Sequence, residues 1–426
     1  MNHVPLDMPA DLPGTHGKPA SGKATSPSRR SRRARRTATA AMASLLIATT
    51  ACSGSEDAAS SSSAASTTVA VSETTAPTDE TVATDASTTS VSDATASTNP
   101  SESTESTVVD SSTDATPAIV AAANAFLDTL TADERDAALF DFSDTAQRQA
   151  WSNLPEGLFE RDGVMWGNLD EDSQQAWLGV LQALLSDEGY EQVYGEWHAD
   201  DSLQGGGNLI FGSDYYWVQV MGEPSETEAW QFRFGGHHVT VNATIKGSDI
   251  SLTPSFIGVQ PAVYDSEGNE IRPLGSIEDD AFALVGSLDD TQVGSAVLGN
   301  TLIDLILGPG EDGKTIENQG IAGADFTDEQ QALLIALISH YGGLVNEEDA
   351  AVRMAELTAE IDDTYFAWYG PTDPTDTSGI YFRVTGPSIV IEYSGQQMGG
   401  SASDHIHGIY RDPTNDYGAE FGAGLS

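Results

Sequence analysis

The chain has 426 residues, with 65 acidic side chains against 18 Lys and Arg and a formal charge of −47. Eight of the basic residues precede position 37, and of the acids only Asp7 and Asp11 precede Cys52. The remainder is therefore strongly acidic, which excludes sequence-independent nucleic-acid binding, and a single cysteine excludes an intrachain disulfide.

Residues 1–36 are rich in Pro, Ser and Arg and read as a disordered basic leader. Residues 29–36 (RRSRRARR) form a basic run, and 38–50 (ATAAMASLLIATT) form an apolar stretch too short to span a bilayer. Ala51-Cys52-Ser53-Gly54 then resembles a bacterial lipobox, although Thr49 stands where leucine is usual. Residues 37–52 are thus expected to be a signal segment with lipidation at Cys52, giving an extracytoplasmic, cell-membrane-anchored lipoprotein. An ordinary signal peptide (a secreted protein) and a twin-arginine signal at Ser31-Arg32-Arg33 are the alternatives. Residues 53–116 are almost wholly Ser, Thr, Ala, Val, Asp and Glu. They cannot bury enough apolar area to offset their ordering entropy, and they read as a disordered tether spanning roughly 45 Å.

Residues 117–426 hold all seven tryptophans and should fold. Spacing predicts a helix over 121–130 and a connector over 148–155. A strongly amphipathic helix follows over 170–185, with Trp177, Val180, Leu181, Leu184 and Leu185 on one face. Ser186 or Asp187 opens the next helix. At Tyr215 the period switches to two. Strands are expected over 215–221, 229–234, 238–245 and 250–257, parted by Gly222-Glu223-Pro224, Gly235-Gly236 and Gly247-Ser248-Asp249. Helices return over 278–288, 291–298, 327–341 and 346–361, with Thr327 and Gln330 forming a cap. Strands close the chain over 365–368, 380–384, 389–393 and 405–410. This order predicts one α+β domain, an antiparallel sheet flanked by helices.

Four of the histidines after residue 117 fall in two short pairs, His237-His238 and His405/His407. His405 and His407 share one face of a strand. If the pairs meet, His238, His405 and His407 bring three imidazoles together, and Glu392 on the neighbouring strand could add a carboxylate. Three such ligands suit catalytic Zn²⁺, and two His with a carboxylate suit Fe(II). His237 and His238 could equally serve as acid/base groups without metal, or all could be structural. Arg411 could grip a carboxylate or phosphate, with Asp416 in support, or the two could form a buried ion pair. Trp230 and Trp368 read as core. Residues 308–315 (GPGEDGKT) fit a phosphate-loop pattern, but the glycine-broken stretch after them is a poor helix, and nucleotide binding is rejected.

Several segments together resemble the bacterial and fungal domain of unknown function numbered 3500. They are Arg148…Trp151…Pro155, Gly189-Tyr190, Trp230…Gly236-His237-His238…Asn242 and Thr253-Pro254-Ser255-Phe256…Gly258…Pro261. Phe366-Ala367-Trp368…Gly370, Gly386-Pro387…Glu392 and His405-Ile406-His407…Arg411-Asp412…Asn415-Asp416-Tyr417-Gly418 complete the match. The resemblance covers most of 117–426 and implies a shared fold and polar site, without supplying a reaction. The side chains suggest a tethered, metal-dependent hydrolase, or a lipoprotein that binds a small ligand or metal without turnover.

Overall fold

The computed structural model describes residues 114–204, 209–398 and 400–425. The expected leader, the expected lipidation site at Cys52 and the expected tether as far as residue 113 lie outside them. No helix among the described residues is long and apolar enough to cross a membrane.

The first half contains α1 (Thr116–Thr129), α2 (Ala132–Ala138), β1 (Leu139–Phe140), α3 (Thr145–Arg148), β2 (Val164–Met165), α4 (Glu171–Leu184) and α5 (Asp187–Ala199). It continues with β3 (Trp217–Met221), β4 (Trp230–Gly235), β5 (Val239–Lys246), β6 (Asp249–Ser251) and β7 (Ser255–Val259), and a small hairpin, β8 (Tyr264–Ser266) and β9 (Asn269–Ile271). The second half contains α6 (Gly275–Gly286), α7 (Asp290–Ala296), β10 (Val297–Gly299), β11 (Ile321–Ala322), α8 (Asp328–Gly342) and α9 (Glu347–Ala359). It ends with β12 (Tyr365–Tyr369), β13 (Tyr381–Thr385), β14 (Val390–Gly395) and β15 (Ile406–Arg411). The fold is α+β, as the pattern predicts.

The helices begin where capping chemistry puts them. Asp170, Ser186, Thr327 and Asn346 each accept a backbone N–H in the first turn of α4, α5, α8 and α9. Among the described residues, one mostly antiparallel sheet joins thirteen strands, with β7 against β15 at its centre. Its strands alternate apolar and polar residues, except at the centre, where Phe256 and Ile409 meet Trp151 in a small apolar cluster on the second face. Phe232, Phe234, Val218, Val241, Ile257, Ile391, Phe366 and Trp368 face the helices and make the core. Trp177 of α4 sits there between Phe126 and Phe232, ring centroids 4.9 and 5.4 Å away; truncating so large a buried ring typically costs about 3–5 kcal/mol.

The other face is polar yet also buried. Gln219, Gln231, Arg233, Asn242, Arg383, Glu392 and Arg411 lie on it and are covered by connecting segments rather than water. Arg233, for example, donates to the carbonyls of Gln147 and Ala150 and to Asn242. The strand expected over 250–257 divides into β6 and β7, because Pro254 between them has no N–H for the ladder. Residues 316–320, directly after the 308–315 segment, are not helical.

The halves repeat one plan. β1 runs parallel to β3 as β10 does to β12, and β2 and β11 pair antiparallel with the same strands. Gln174 donates to the Trp166 carbonyl as Gln331 does to that of Gly323. Gly236 N–H closes onto the Val239 carbonyl as Gly386 N–H does onto that of Ile389. The halves also grip each other reciprocally: Ser186 N–H donates to Leu344 O at 3.0 Å, and Asn346 N–H to Leu184 O at 2.8 Å. Thr240 pairs with Phe256 and Val390 with Arg411, so Ser255 and Tyr410 are equivalents, and they face each other across the central ladder. A pseudo-twofold axis passes between them.

Candidate metal centre

The tight β4–β5 hairpin carries His237 and His238. Gly236 is required there by space: a Cβ would meet the Tyr216 ring at 2.7 Å. With that ring packed against the turn, the Tyr216 hydroxyl accepts the His238 backbone N–H at 3.2 Å and donates to Asp200 Oδ2 at 2.9 Å. Asp200 follows the last turn of α5, an end of a helix that disfavours negative charge. It is fully buried, and its other oxygen meets His238 Nδ1 at 2.6 Å and His237 Nδ1 at 3.4 Å. Burial alone would raise this carboxyl, but the two imidazoles hold it below the usual carboxylate range.

His405 lies just before β15, and His407 lies on it, across the central ladder from Gly258 of β7. His238 Nε2 stands 3.2 Å from His405 Nε2, which stands 3.0 Å from His407 Nε2. The two histidine pairs, far apart in sequence, therefore meet ring to ring. Each outer nitrogen is held: His238 Nδ1 by Asp200, His405 Nδ1 by the Met398 carbonyl at 2.6 Å, and His407 Nδ1 by the Asn153 amide at 3.4 Å. Arg161 ties the Asn153 loop to the hairpin, donating to the carbonyls of Ser152, Leu154 and Gly236.

This geometry decides two of the three tautomers; at His407 the Nε2 lone pair is free when the Asn153 amide presents its oxygen to Nδ1. Facing a carboxylate and a carbonyl, His238 and His405 must carry their protons on Nδ1, so both Nε2 atoms present lone pairs. Burial pushes His238 down to about 4 and His405 and His407 below the usual histidine range, with His407 further lowered by the neighbouring imidazoles. At neutral pH no proton stands between His238 and His405. Two buried lone pairs then face each other, which a cation would relieve. Nitrogens coordinated tetrahedrally to Zn²⁺ lie about 3.3 Å apart, close to the 3.2 and 3.0 Å spacings, and one ring nitrogen from each of the three histidines lies within 4.8 Å of the others.

Other expected site residues are elsewhere employed. Glu392 is not among the converging groups; its oxygens accept the backbone N–H groups of Ile306 and Leu307 and the Tyr381 hydroxyl. The expectation that it adds a carboxylate ligand is corrected: Asp200 supplies the carboxylate, to the back of His238. Arg411 and Asp416 are not at the histidines either. Arg411 lies about 13 Å along β15 from His407 and pairs with Asp416 at 2.8 Å and Asp312 at 3.0 Å. Of the two readings offered for Arg411, the buried ion pair is the one observed. His198, stacked on Tyr194, and His340, paired with Asp280, stand outside the cluster.

Sequence reasoning missed Asp200, Tyr216 and Asn153. The one available signal for Asp200 was an acid at a helix C-terminus, where it is locally unfavourable.

The arrangement defines an α+β protein with a buried, three-imidazole site. A family model described as "Protein of unknown function (DUF3500)" matches residues 112–419, and the chain belongs to that family. Neither the curated proteins nor the solved structures contain a match.

Proposed function

We propose that His238, His405 and His407 hold one divalent transition metal through Nε2, with Zn²⁺ the best fit. Facing lone pairs on His238 and His405 carry this reading. Three neutral nitrogens leave a fourth position for water, the donor set of a catalytic zinc. The Fe(II) alternative needs a carboxylate in the same set, and the carboxylate here binds the back of His238 instead. Asp200 would orient that ring and raise its basicity, as carboxylates behind metal-bound histidines do.

With such an ion bound, the site would polarise water for attack on an ester, amide or phosphoester, so a hydrolase is the favoured activity. The Arg-rich run, short apolar stretch and Cys52 support an extracytoplasmic, lipid-anchored location for it. One observation favours a binding role without turnover: His238 is 0% and His405 4% exposed.

Metal analysis of the purified full chain tests the centre. One equivalent of transition metal is expected, and a His405→Ala/His407→Ala variant should lose it. A metal-free wild type that stays metal-free after incubation with Zn²⁺, Mn²⁺ or Fe²⁺ would sink the proposal. Turnover of a hydrolase substrate panel, abolished by chelator and restored by metal, would separate enzyme from binder.

A further inference from the structure

The pseudo-twofold axis gives the metal centre an equivalent position in the other half, and the same framework is built there. Glu360 follows the last turn of α9 as Asp200 follows that of α5. Ser388 follows Gly386 in the β13–β14 turn as His238 follows Gly236. The contact is kept: Ser388 Oγ donates to Glu360 Oε2 at 2.6 Å, where His238 meets Asp200 at 2.6 Å. Ser251, across from Thr244, takes the place of His407, across from Ser394. Asp249 takes the place of His405. Oxygen groups thus stand where the first position has imidazole nitrogens.

A cavity of about 630 Å³ opens beside them, a size suited to a small organic ligand. Asp249, Ser251, Asp349, Arg353, Tyr410 and Asp412 are in its wall. Arg353 is already engaged, by Asp412 at 2.9 Å, Glu356 at 3.4 Å and the Ser388 carbonyl at 2.6 Å. Its single charge leaves the wall with an excess of carboxylates. Burial, and then the negative charges of Glu348, Asp114 and Asp249, push the Asp349 carboxyl upward. The rings of Tyr341 and Tyr410, centroids 6.1 Å apart, back the cavity.

The geometry points to a second binding site, equivalent by pseudo-symmetry to the metal centre, that takes a small organic cation: an ammonium on a short apolar body. Carboxylates supply the charge, and Leu252, Val345 and Val352 an apolar wall. No metal chemistry is needed, and the site does not depend on the metal reading.

Titration calorimetry on the full chain at physiological salt, with choline as probe and its neutral isostere 3,3-dimethylbutan-1-ol as control, tests this. Saturable one-to-one binding of choline is expected, with none of the neutral compound. Asp349→Asn should weaken it at least tenfold, and Glu356→Gln, at an exposed position, should weaken it without endangering the fold. The His405→Ala/His407→Ala variant should bind choline as the wild type does. Absence of saturable binding, equal binding of the neutral isostere, or undiminished binding by both cavity variants would overturn the site.

Discussion

Asp200 touches His238 with one oxygen and Tyr216 with the other. Its charge selects the histidine tautomer that presents Nε2 inward. Asp200→Asn keeps the shape but removes the charge, and the amide can then offer a donor where an acceptor is needed. Metal affinity should fall roughly 10–100-fold, measured by competition with a chromophoric chelator, while the circular dichroism spectrum stays unchanged. Unaltered affinity would show that the tautomer is set by something else. The histidines themselves were readable because two close pairs in an otherwise histidine-poor chain suggest clustering. Their partner was not singled out, since its one local signal, an acid at the end of a helix, is shared by Glu360 after α9.

At the scale of elements, the β4–β5 hairpin does the positioning. Its glycine is needed for close approach of the Tyr216 ring, not for an unusual backbone angle. Gly236→Ala should therefore force that ring away, at a cost of about 1–3 kcal/mol from overpacking, seen in urea denaturation. Metal content should drop with it, because Tyr216 also holds Asp200 and the His238 N–H. Wild-type stability in this variant would mean that the ring has room to yield. The strands themselves were legible from alternation. The fate of their polar faces was not, because Gln231, Arg233 and Asn242 alternate as solvent-facing residues do. They are covered by connecting segments whose approach no local pattern encodes.

For the whole molecule, the buried imidazoles link stability to pH. His238 is held near 4, and His405 and His407 also lie below the ordinary value of 6.5. Between pH 6.5 and about 4 the unfolded chain takes up protons that the folded chain refuses. Their contribution is thus complete above about pH 6.5 and is lost as pH falls through the window. Glu196 acts with the opposite sign, since burial pushes its carboxyl up, so a single stability curve is not the measure. The difference between metal-free wild type and a His238→Gln/His405→Gln/His407→Gln variant isolates the trio. Wild type should fall more steeply from pH 6.5 to 4 in denaturant titrations; parallel curves would show that these rings titrate normally. The duplicated plan is also a property of the whole. Cap residues Asp170 and Thr327, or Ser186 and Asn346, are equivalents, but the spacing between such partners drifts along the chain. No fixed period reveals the repeat.

The amino-acid sequence by itself determined the class of fold, most helices and strands, the acidic character and the histidines worth watching. These follow from local periodicity, capping and composition, which need no knowledge of distant contacts. Only the tertiary structure decided that residues 238 and 405 lie within bonding reach, that Asp200 rather than Glu392 supplies the carboxylate, and that Arg411 is paired. Each depends on which strands become neighbours at the centre of the sheet, a choice made by burial over the entire core and written in no single segment.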